Sequence, residues 1–259
     1  MNVEQVRFIE ELAANAWRPE IEQHLGGWRL RYSGGNSRRV NSVWPNRLPG
    51  LQSLQESMEM VEDFYRRRAV PPSFQLCPAM LPEDLPQHLE QRGYTFYART
   101  AVQVQTIPRL LSSTLPHTGS AVATPDLTEE WFRFYTSASG YSQKSLPVRR
   151  GILCRIGPPA QFILLEQEGV PVAAGLGVLE RGWLGVFCVV TAPQFRRSGH
   201  AVAVMHGLAR WGEAHGAEQV YLQVMEDNQP GLNLYYKLGF TLLYHYYYAE
   251  KEFQNEKID

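Results

Sequence analysis

The sequence has few cysteines, no long hydrophobic run and almost no excess of charge of either sign. Its 259 residues include only Cys77, Cys154 and Cys188, which are too few and too far apart for a disulfide framework. Each has apolar neighbours, as buried thiols in a reducing compartment do. No run approaches the roughly 20 apolar residues that a transmembrane helix needs. We therefore expect a cytoplasmic protein that does not enter a membrane.

The charged and metal-binding residues exclude further classes of protein. Lysine and arginine total 25 and aspartate and glutamate total 26, so the formal net charge is -1 and no global positive field favours nucleic acid. His200 and His206 have helical spacing but no third ligand, so we expect no metal site. Residues 3–17 are typical of an amphipathic helix and lack the basic start and apolar core of a signal peptide.

Hydrophobic periodicity predicts helices and strands in two domains. Helices are predicted at residues 3–17, 54–67, 85–92, 127–138, 146–156, 198–215 and 230–237. Strands are predicted at residues 28–32, 40–44, 74–77, 95–105, 161–166, 172–180, 183–191, 219–225 and 241–249. Residues 106–126 hold three prolines and little periodicity, which predicts a linker. We place one domain at residues 1–112 and the other at residues 113–259.

The two halves end in the same order of elements, namely a strand, a helix, a glycine followed by an aromatic residue, and a strand. The first half reads FQLC and then HLEQRGYTFYART, and the second reads YLQV and then LYYKLGFTLLYHY. This order predicts a degenerate duplication. Two unrelated endings, each with a glycine at a helix C-terminus, would give the same pattern.

Residues 186–201, VFCVVTAPQFRRSGHA, predict a strand, a polar loop and the start of a helix. Main-chain N–H groups at a helix N-terminus lack partners, and the helix dipole favours an anion there. Gly199 lets the backbone approach a ligand closely, and Arg196 and Arg197 add positive charge. The segment therefore predicts a phosphate site, although a glycine and an arginine also occur in ordinary helix caps.

The same segment resembles motif A of the GNAT superfamily of N-acetyltransferases, [Gln/Arg]-x-x-Gly-x-[Gly/Ala], which here reads RRSGHA. The resemblance implies acetyl-CoA as cosubstrate, with its pyrophosphate held at residues 197–202. It also implies main-chain hydrogen bonds from Val189 and Thr191 to the pantetheine arm, and an amide at or near Val190 facing the thioester carbonyl. The cofactor-binding residues expected from the resemblance are Val189, Val190, Thr191, Arg196, Arg197, Ser198, Gly199, His200, Ala201, Val202 and Asn228.

Residues 228–240, NQPGLNLYYKLGF, are similar to motif B of the same superfamily. The resemblance places Tyr235 beside the sulfur of CoA, where its hydroxyl would protonate the departing thiolate. A core tyrosine whose hydroxyl is satisfied elsewhere is the alternative. Asn228 contacts the cofactor by the same resemblance, and it also suits a helix N-cap. The two motifs occur in the expected order, and the resemblance covers residues 124–248.

The catalytic base departs from many relatives. Some carry a glutamate on the strand before motif B, but the matching residue here is Gln223, which cannot take a proton. The nearest acids are Glu226 and Asp227. Either could act through water, both could be solvated loop carboxylates, and deprotonation by bulk water is also open. Among acids we therefore name Glu226 as the candidate.

The resemblance implies an α/β (α+β) fold with two GNAT-like domains, each a mixed, mostly antiparallel sheet flanked by helices. In the first domain, residues 46–51 read NRLPGL and offer no phosphate cradle, so we expect CoA binding to be lost there. That domain would cover the acceptor cleft or mediate dimerisation. The implied reaction is direct acetyl transfer from acetyl-CoA to a primary amine of a small molecule, peptide or protein in a ternary complex. The alternatives are a catalytically idle acyl-CoA-binding sensor or scaffold and an interaction protein without a ligand. We expect a monomer or a homodimer.

Overall fold

The computed structural model describes residues 2–35, 37–113 and 120–252. The helices of this part are α1 (Val3–Ala16), α2 (Leu54–Arg66), α3 (Leu85–Gln91), α4 (Ile107–Leu111), α5 (Glu129–Ala138), α6 (Leu146–Cys154), α7 (His200–Ala214) and α8 (Gln229–Lys237). Its strands are β1 (Ile21–Leu25), β2 (Trp28–Tyr32), β3 (Val43–Trp44), β4 (Ser73–Leu76), β5 (Thr95–Thr106), β6 (Ser120–Thr124), β7 (Ala160–Gln167), β8 (Val170–Glu180), β9 (Trp183–Thr191), β10 (Gln219–Met225) and β11 (Thr241–Glu250).

The chain forms two compact units whose segments alternate along the sequence. Within the described residues, the first unit holds 2–8, 19–100 and 244–252, and the second holds 9–18, 101–113 and 120–243. The predicted division falls between residues 112 and 113. Residues 9–18 and 101–112 belong to the second unit instead of the first, and residues 244–252 belong to the first unit instead of the second. The division itself stays a prediction.

The first unit is built on a sheet with the order β1-β2-β3-β4-β11-β5. Strand β3 pairs with β4 in parallel at Val43 and Phe74, and β11 pairs antiparallel with β4 from Tyr247 opposite Leu76 onward. The sequence suggested that β11 closes the second domain, whereas residues 244–250 lie in this sheet. The core side chains of the unit include Trp28, Met58, Val61, Tyr65, Phe74, Leu76 and Leu89.

The second unit has the strand order β5-β10-β9-β8-β7-β6. Strands β9 and β10 are parallel, whereas β6, β7, β8 and β9 pair antiparallel in sequence. Helix α7 packs on this sheet through one apolar face, on which Val204, Met205, Leu208 and Ala209 are buried. The predicted mixed sheet flanked by helices is confirmed.

Helices α5 and α7 cover opposite faces of the second sheet. Trp131 of α5 packs edge-on against Phe162, with ring centroids 5.0 Å apart. On α7, a Cβ added at Gly207 would lie 2.8 Å from Cδ1 of Ile163. Because neighbouring residues of a strand point to opposite faces, Phe162 and Ile163 assign the two helices to different sides.

The prediction of a linker at residues 106–126 is wrong for the residues that the structure describes. Helix α4 buries Ile107 and Leu110 completely, and β6 pairs with β7 over its whole length. Residues 114–119 of the segment lie outside the described residues. The segment escapes detection because one turn of helix and one five-residue strand are too short to show a period.

Three smaller expectations also differ from the structure. Strand β1, with the polar sequence IEQHL, was not predicted because four of its five residues are exposed and show no apolar alternation. Val40 lies in a 3-10 turn before β3 rather than in the strand. Cys154 is exposed at the end of α6, so only Cys77 is a fully buried thiol and Cys188 is half-buried.

No helix among the described residues is long and apolar enough to cross a membrane.

Close contact between β8 and α7 depends on Gly175. A Cβ added there would lie 2.4 Å from Cγ1 of Val204, a β-branched side chain with little freedom to move. We expect Gly175→Ala to lower the free energy of unfolding by about 1–3 kcal/mol through overpacking. Urea unfolding measures this loss. The control is Gly157→Ala, whose Cβ would find its nearest neighbour at 3.5 Å; an equal effect of both substitutions would contradict the contact.

Candidate active site

The junction between β9 and α7 contains two residues in the left-handed conformation. A short 3-10 turn, Pro193–Phe195, follows β9. Arg197 then has φ of 69° and Gly199 has φ of 83°, and α7 begins at His200. Successive N–H groups around left-handed residues form a concave, anion-binding surface. The predicted polar loop is therefore shaped as a nest at the head of a 15-residue helix.

The amides of residues 197–202 donate no hydrogen bond to any atom of the described residues. The first amide of this region with a main-chain partner is that of Ala203, which donates to the carbonyl of Gly199 at 3.1 Å. The N-cap is a glycine, so no side chain caps the helix. These donors and the positive end of the helix dipole remain available to an anion.

The side chains around this junction suit a diphosphate group. Arg196, Arg197 and Ser198 are exposed, and Nε of Arg196 donates to the carbonyl of Thr191 at 3.4 Å. His200 is 3% exposed, and neither ring nitrogen has a hydrogen-bond partner in the described chain. Buried polar atoms without partners are rare, and they are frequent where a ligand completes the site. The residues present therefore fit the phosphate-bearing end of a CoA molecule.

Strand β9 separates from β10 before either strand ends. Their parallel pairing stops at Val186 and Leu222, yet β9 continues to Thr191 and β10 to Met225. On its other side β9 carries a bulge, because Leu176 pairs with Phe187 while Ala174 pairs with Val190. Residues 187–191 of β9 therefore lie beside the opening between the strands. Val189, Val190 and Thr191 lie half-buried along it.

Cys188 provides the unusual backbone conformation of the bulge. Its φ is 55°, a left-handed value that costs a residue with a side chain about 1–2 kcal/mol. Local strain of this kind is concentrated at functional sites. The bulge lies at the place where the resemblance expects a donor to the thioester carbonyl.

Helix α8 contributes Asn228 and Tyr235. The side chain of Asn228 caps the helix by accepting from the amide of Gly231 at 3.1 Å. Tyr235 is half-buried with its ring edge-on to Phe240, and its hydroxyl makes no hydrogen bond to the described residues. Burial raises the pKa of Tyr235 to about 12, so the hydroxyl is protonated at neutral pH. Tyr235, Val189 and Val202 pack on the same core cluster, which brings both motifs together.

The end of β10 carries the candidate base. Gln223 is half-buried on the strand, whereas Glu226 and Asp227 are exposed just beyond it.

His200 and His206 do not share a site. Nε2 of His206 lies 2.8 Å from Oγ of Ser113, whereas the ring nitrogens of His200 have no hydrogen-bond partner among the described residues. Among the described residues, no group of three or more histidine, cysteine, aspartate or glutamate side chains could hold a metal ion.

An aromatic and cationic cluster on the α5 face was not predicted from the sequence. The guanidinium of Arg149 lies 4.1 Å from the ring centroid of Tyr141 and 5.9 Å from that of Trp17. The hydroxyls of Tyr141 and Tyr135 are 3.2 Å apart, and Tyr135 also contacts the side chain of Cys188. Trp17 and Cys188 are distant in sequence from Tyr135, Tyr141 and Arg149, and the five residues share no motif, so only the fold shows that they meet beside the bulge.

The first unit has a similar local order, since β3 runs into α2, but α2 begins differently. Oγ of Ser53 accepts from the amide of Glu56 at 3.2 Å, and the amide of Ser53 donates to Oε2 of Glu56 at 2.9 Å. This capping box satisfies the donors from within the chain. Its hydrogen bonds also lower the pKa of Glu56, so a carboxylate occupies the head of the helix. An anion is disfavoured there.

Comparisons with known proteins agree with this architecture. A family model described as "Probable histone acetyltransferase Rv0428c C-terminal" matches residues 3–249. The chain is 25% identical over 251 residues to the uncharacterized N-acetyltransferase YobR of Bacillus subtilis (strain 168), which covers 96% of this chain and 100% of that relative.

Solved structures of low sequence identity share the fold. A GCN5-related N-acetyltransferase from Kribbella flavida has a TM-score of 0.70 at 17% identity and covers 96% of both chains. A tandem GNAT protein from the clavulanic acid biosynthesis pathway has a TM-score of 0.62 at 13% identity, covering 82% of this chain and 75% of that one.

The open mixed sheet and its helices have the fold of the GNAT N-acetyltransferases, as the sequence motifs predict. The chain belongs to the family of the Rv0428c C-terminal acetyltransferase model.

The cap of α8 can be tested separately from any ligand. We expect Asn228→Ala to lower the free energy of unfolding by about 1 kcal/mol, because the amide of Gly231 loses its acceptor. Asn228→Ser keeps a capping oxygen and should recover most of that loss in urea unfolding. Asn233→Ala, an exposed change on the same helix, is the control. If the serine and alanine variants unfold alike, the side chain does not stabilise the helix.

Proposed function

We propose that this enzyme transfers an acetyl group from acetyl-CoA to a primary amine by direct attack in a ternary complex. The observation that carries the proposal is the set of partnerless amides at residues 197–202. These amides, with Arg196 and Arg197 beside them, would hold the pyrophosphate. The orphaned ring nitrogens of His200 lie at the same helix end.

Strand β9 would hold the pantetheine arm by its main chain. Val189 and Thr191 lie beside the opening where β10 has separated, so their main-chain groups can pair with an extended ligand as a strand would. Acetyl-CoA, when bound, supplies an acetyl group activated as a thioester. A main-chain amide near Val190, beside the bulge, would donate to the carbonyl oxygen, and one such donor contributes a few kcal/mol to transition-state stabilisation.

Tyr235 and Asn228 are proposed to act from α8. The hydroxyl of Tyr235 is protonated and has no partner among the described residues, so it can donate to the sulfur of the departing thiolate. Asn228 sits at the N-terminus of the same helix and is exposed, so its amide nitrogen can reach the cofactor while its oxygen caps the helix.

The acceptor amine must lose a proton before it attacks. An amine with a pKa of about 10.4 pays roughly 4–5 kcal/mol to be neutral at pH 7, so a proton acceptor is useful. Gln223 cannot serve. Glu226 is the proposed acceptor, through a water molecule, and direct release of the proton to bulk water is the competing route.

The first unit is proposed to be a degenerate GNAT-like domain in a tandem arrangement. The order β3-α2-β4-α3-β5 parallels β9-α7-β10-α8-β11, and both units contain a parallel strand pair joined through a helix. The capping box of Ser53 and Glu56 supports the loss of CoA binding. Its role in covering the acceptor or in dimerisation is left open.

An idle acyl-CoA-binding sensor is the second candidate, and Gln223 in place of a base is the observation that favours it. Release of thiol from acetyl-CoA with a panel of primary amines distinguishes the two. Turnover with any amine at a rate above the hydrolysis background supports the transferase. Stabilisation by acetyl-CoA without turnover supports the sensor.

The proposed pyrophosphate site at residues 197–202 is tested with Gly199→Asp and Gly199→Asn. Asparagine tolerates the left-handed conformation and keeps the size of aspartate, so the pair differs in charge alone. We expect acetyl-CoA to raise the melting temperature of the wild type clearly, the asparagine variant less, and the aspartate variant not at all. Isothermal titration should show at least a tenfold gap in Kd between the two variants. Equal affinity would remove the pyrophosphate from this helix end.

Tyr235→Phe tests the hydroxyl on α8. The ring still packs against Phe240, so we expect kcat to fall at least tenfold while the Kd for acetyl-CoA changes less than about twofold. Tyr236→Phe is the control, because Tyr236 is 81% exposed. An unchanged kcat in the Tyr235 variant would exclude this hydroxyl from the reaction.

A further inference from the structure

We propose that the acceptor carries a carboxylate close to its amine, and that Arg149 binds that carboxylate. The inference rests on the transferase proposed above and adds a substrate class, the free amino acids and related amino carboxylates. The observation that carries it is an arginine side chain, 9% exposed, whose guanidinium lies against aromatic rings and has no ion pair or hydrogen bond among the described residues.

Arg149 is 9% exposed, yet it forms no ion pair and no hydrogen bond within the described residues. A charge held largely out of water without a counter-ion is unfavourable. Its two ring contacts recover part of that cost through cation–π attraction. A bound anion would supply what the chain does not.

The neighbouring arginine shows that the environment of Arg149 is specific. Arg150, the next residue of α6, pairs with Glu129, its Nη1 lying 2.7 Å from Oε1. Arg150 thus has a carboxylate partner, whereas the adjacent Arg149 has none among the described residues. Such local violations are expected at functional sites.

The cluster also lies at the right part of the sheet. Trp17 stacks on Phe187 with ring centroids 5.9 Å apart, and Tyr141 reaches Cys188 through Tyr135. Phe187 and Cys188 form the bulge of β9. The rings therefore fix the guanidinium beside the proposed position of the thioester, on the face of the sheet opposite α7.

The two faces give the two substrates separate places. The residues proposed to bind the pyrophosphate lie at the start of α7 on one face. Arg149 of α6 lies on the other face, which α5 covers. An amine anchored from the α5 face would approach the opening in β9 from the side away from the pyrophosphate. Direct attack needs this arrangement of donor and acceptor.

The chemistry of the cluster favours a carboxylate over a phosphate. A guanidinium presents two parallel N–H donors that match the two oxygens of a carboxylate. Its described contacts are with Trp17 and Tyr141, and these rings add no second positive charge. One cation balances a monoanion, whereas a phosphate dianion would be left half-neutralised.

The test uses the full chain, acetyl-CoA and thiol release with free L-amino acids, each beside its own C-terminal amide. We expect kcat/KM to be at least tenfold higher for the acid of every accepted pair. Amidation lowers the pKa of the amine and so favours the amide in simple reactivity, which makes an acid preference diagnostic of binding.

Arg149→Met should lower kcat/KM for the acid to the value of the amide and change the amide less than about twofold. Arg149→Lys, which keeps the charge and loses the planar fork, should lie between. Arg150→Met is the matched control and should keep the acid preference. Melting temperatures and the Kd for acetyl-CoA verify that each variant is folded; if Arg149→Met does not fold, Arg149→Lys decides.

Three kinetic outcomes overturn the proposal: equal use of acid and amide by the wild type, an equal loss for both in the Arg149 variants, or an acid preference that survives them. The amine screen can fail independently, so the same acids and amides are also tested as ligands in the presence of CoA. Acids, and not amides, should raise the melting temperature of the wild type and of Arg150→Met but not of Arg149→Met. If no acid raises it, the anchor is excluded even where turnover is absent.

Discussion

The site depends on main-chain donors that the protein leaves unsatisfied at the start of α7. A glycine N-cap cannot supply a side-chain acceptor, and two left-handed residues direct the neighbouring amides toward one concave surface. Helix α2 occupies the corresponding place in the first unit and fills its own donors with Ser53 and Glu56. Capping stabilises α2 and removes its capacity for an anion, whereas α7 gives up the cap and keeps that capacity. The same element order thus yields one helix end suited to a phosphate and one that rejects it.

The separation of β9 from β10 places a second constraint on the sheet. The strand must leave β10 after Val186 and still stay paired with β8, and the bulge at Cys188 allows both. Gly175 lies opposite this region and lets α7 approach the sheet closely, since a side chain there would collide with Val204. Gly177 is explained in the same way, because a Cβ there would lie 3.1 Å from Cδ2 of Leu208 on α7. Strain at Cys188 and missing side chains on β8 are the structural conditions for an accessible main chain in the middle of a sheet.

Local signals predicted most of the fold, and non-local ones were missed. The strand at residues 219–225 matches β10 fully, and α7 and α8 begin within two residues of their predicted starts, because glycine, proline and apolar periodicity mark them. The pairing of β11 with β4 could not be predicted, since nothing in an aromatic strand names its distant partner. The cradle was predictable because its residues are contiguous. Arg149, Tyr141 and Trp17 meet only through tertiary packing, so the sequence carries no signal for their cluster.

Proton movement in the proposed reaction follows from two side chains. Burial holds the pKa of Tyr235 at about 12, so it donates throughout the physiological range without changing charge. In the proposed reaction this hydroxyl donates to the leaving sulfur. Gln223 likewise removes an internal acceptor, and Glu226 is exposed. Because the proposed acceptor Glu226 is exposed and would act through water, the ionisation of the acceptor amine, rather than of a buried base, would set the dependence of the rate on pH.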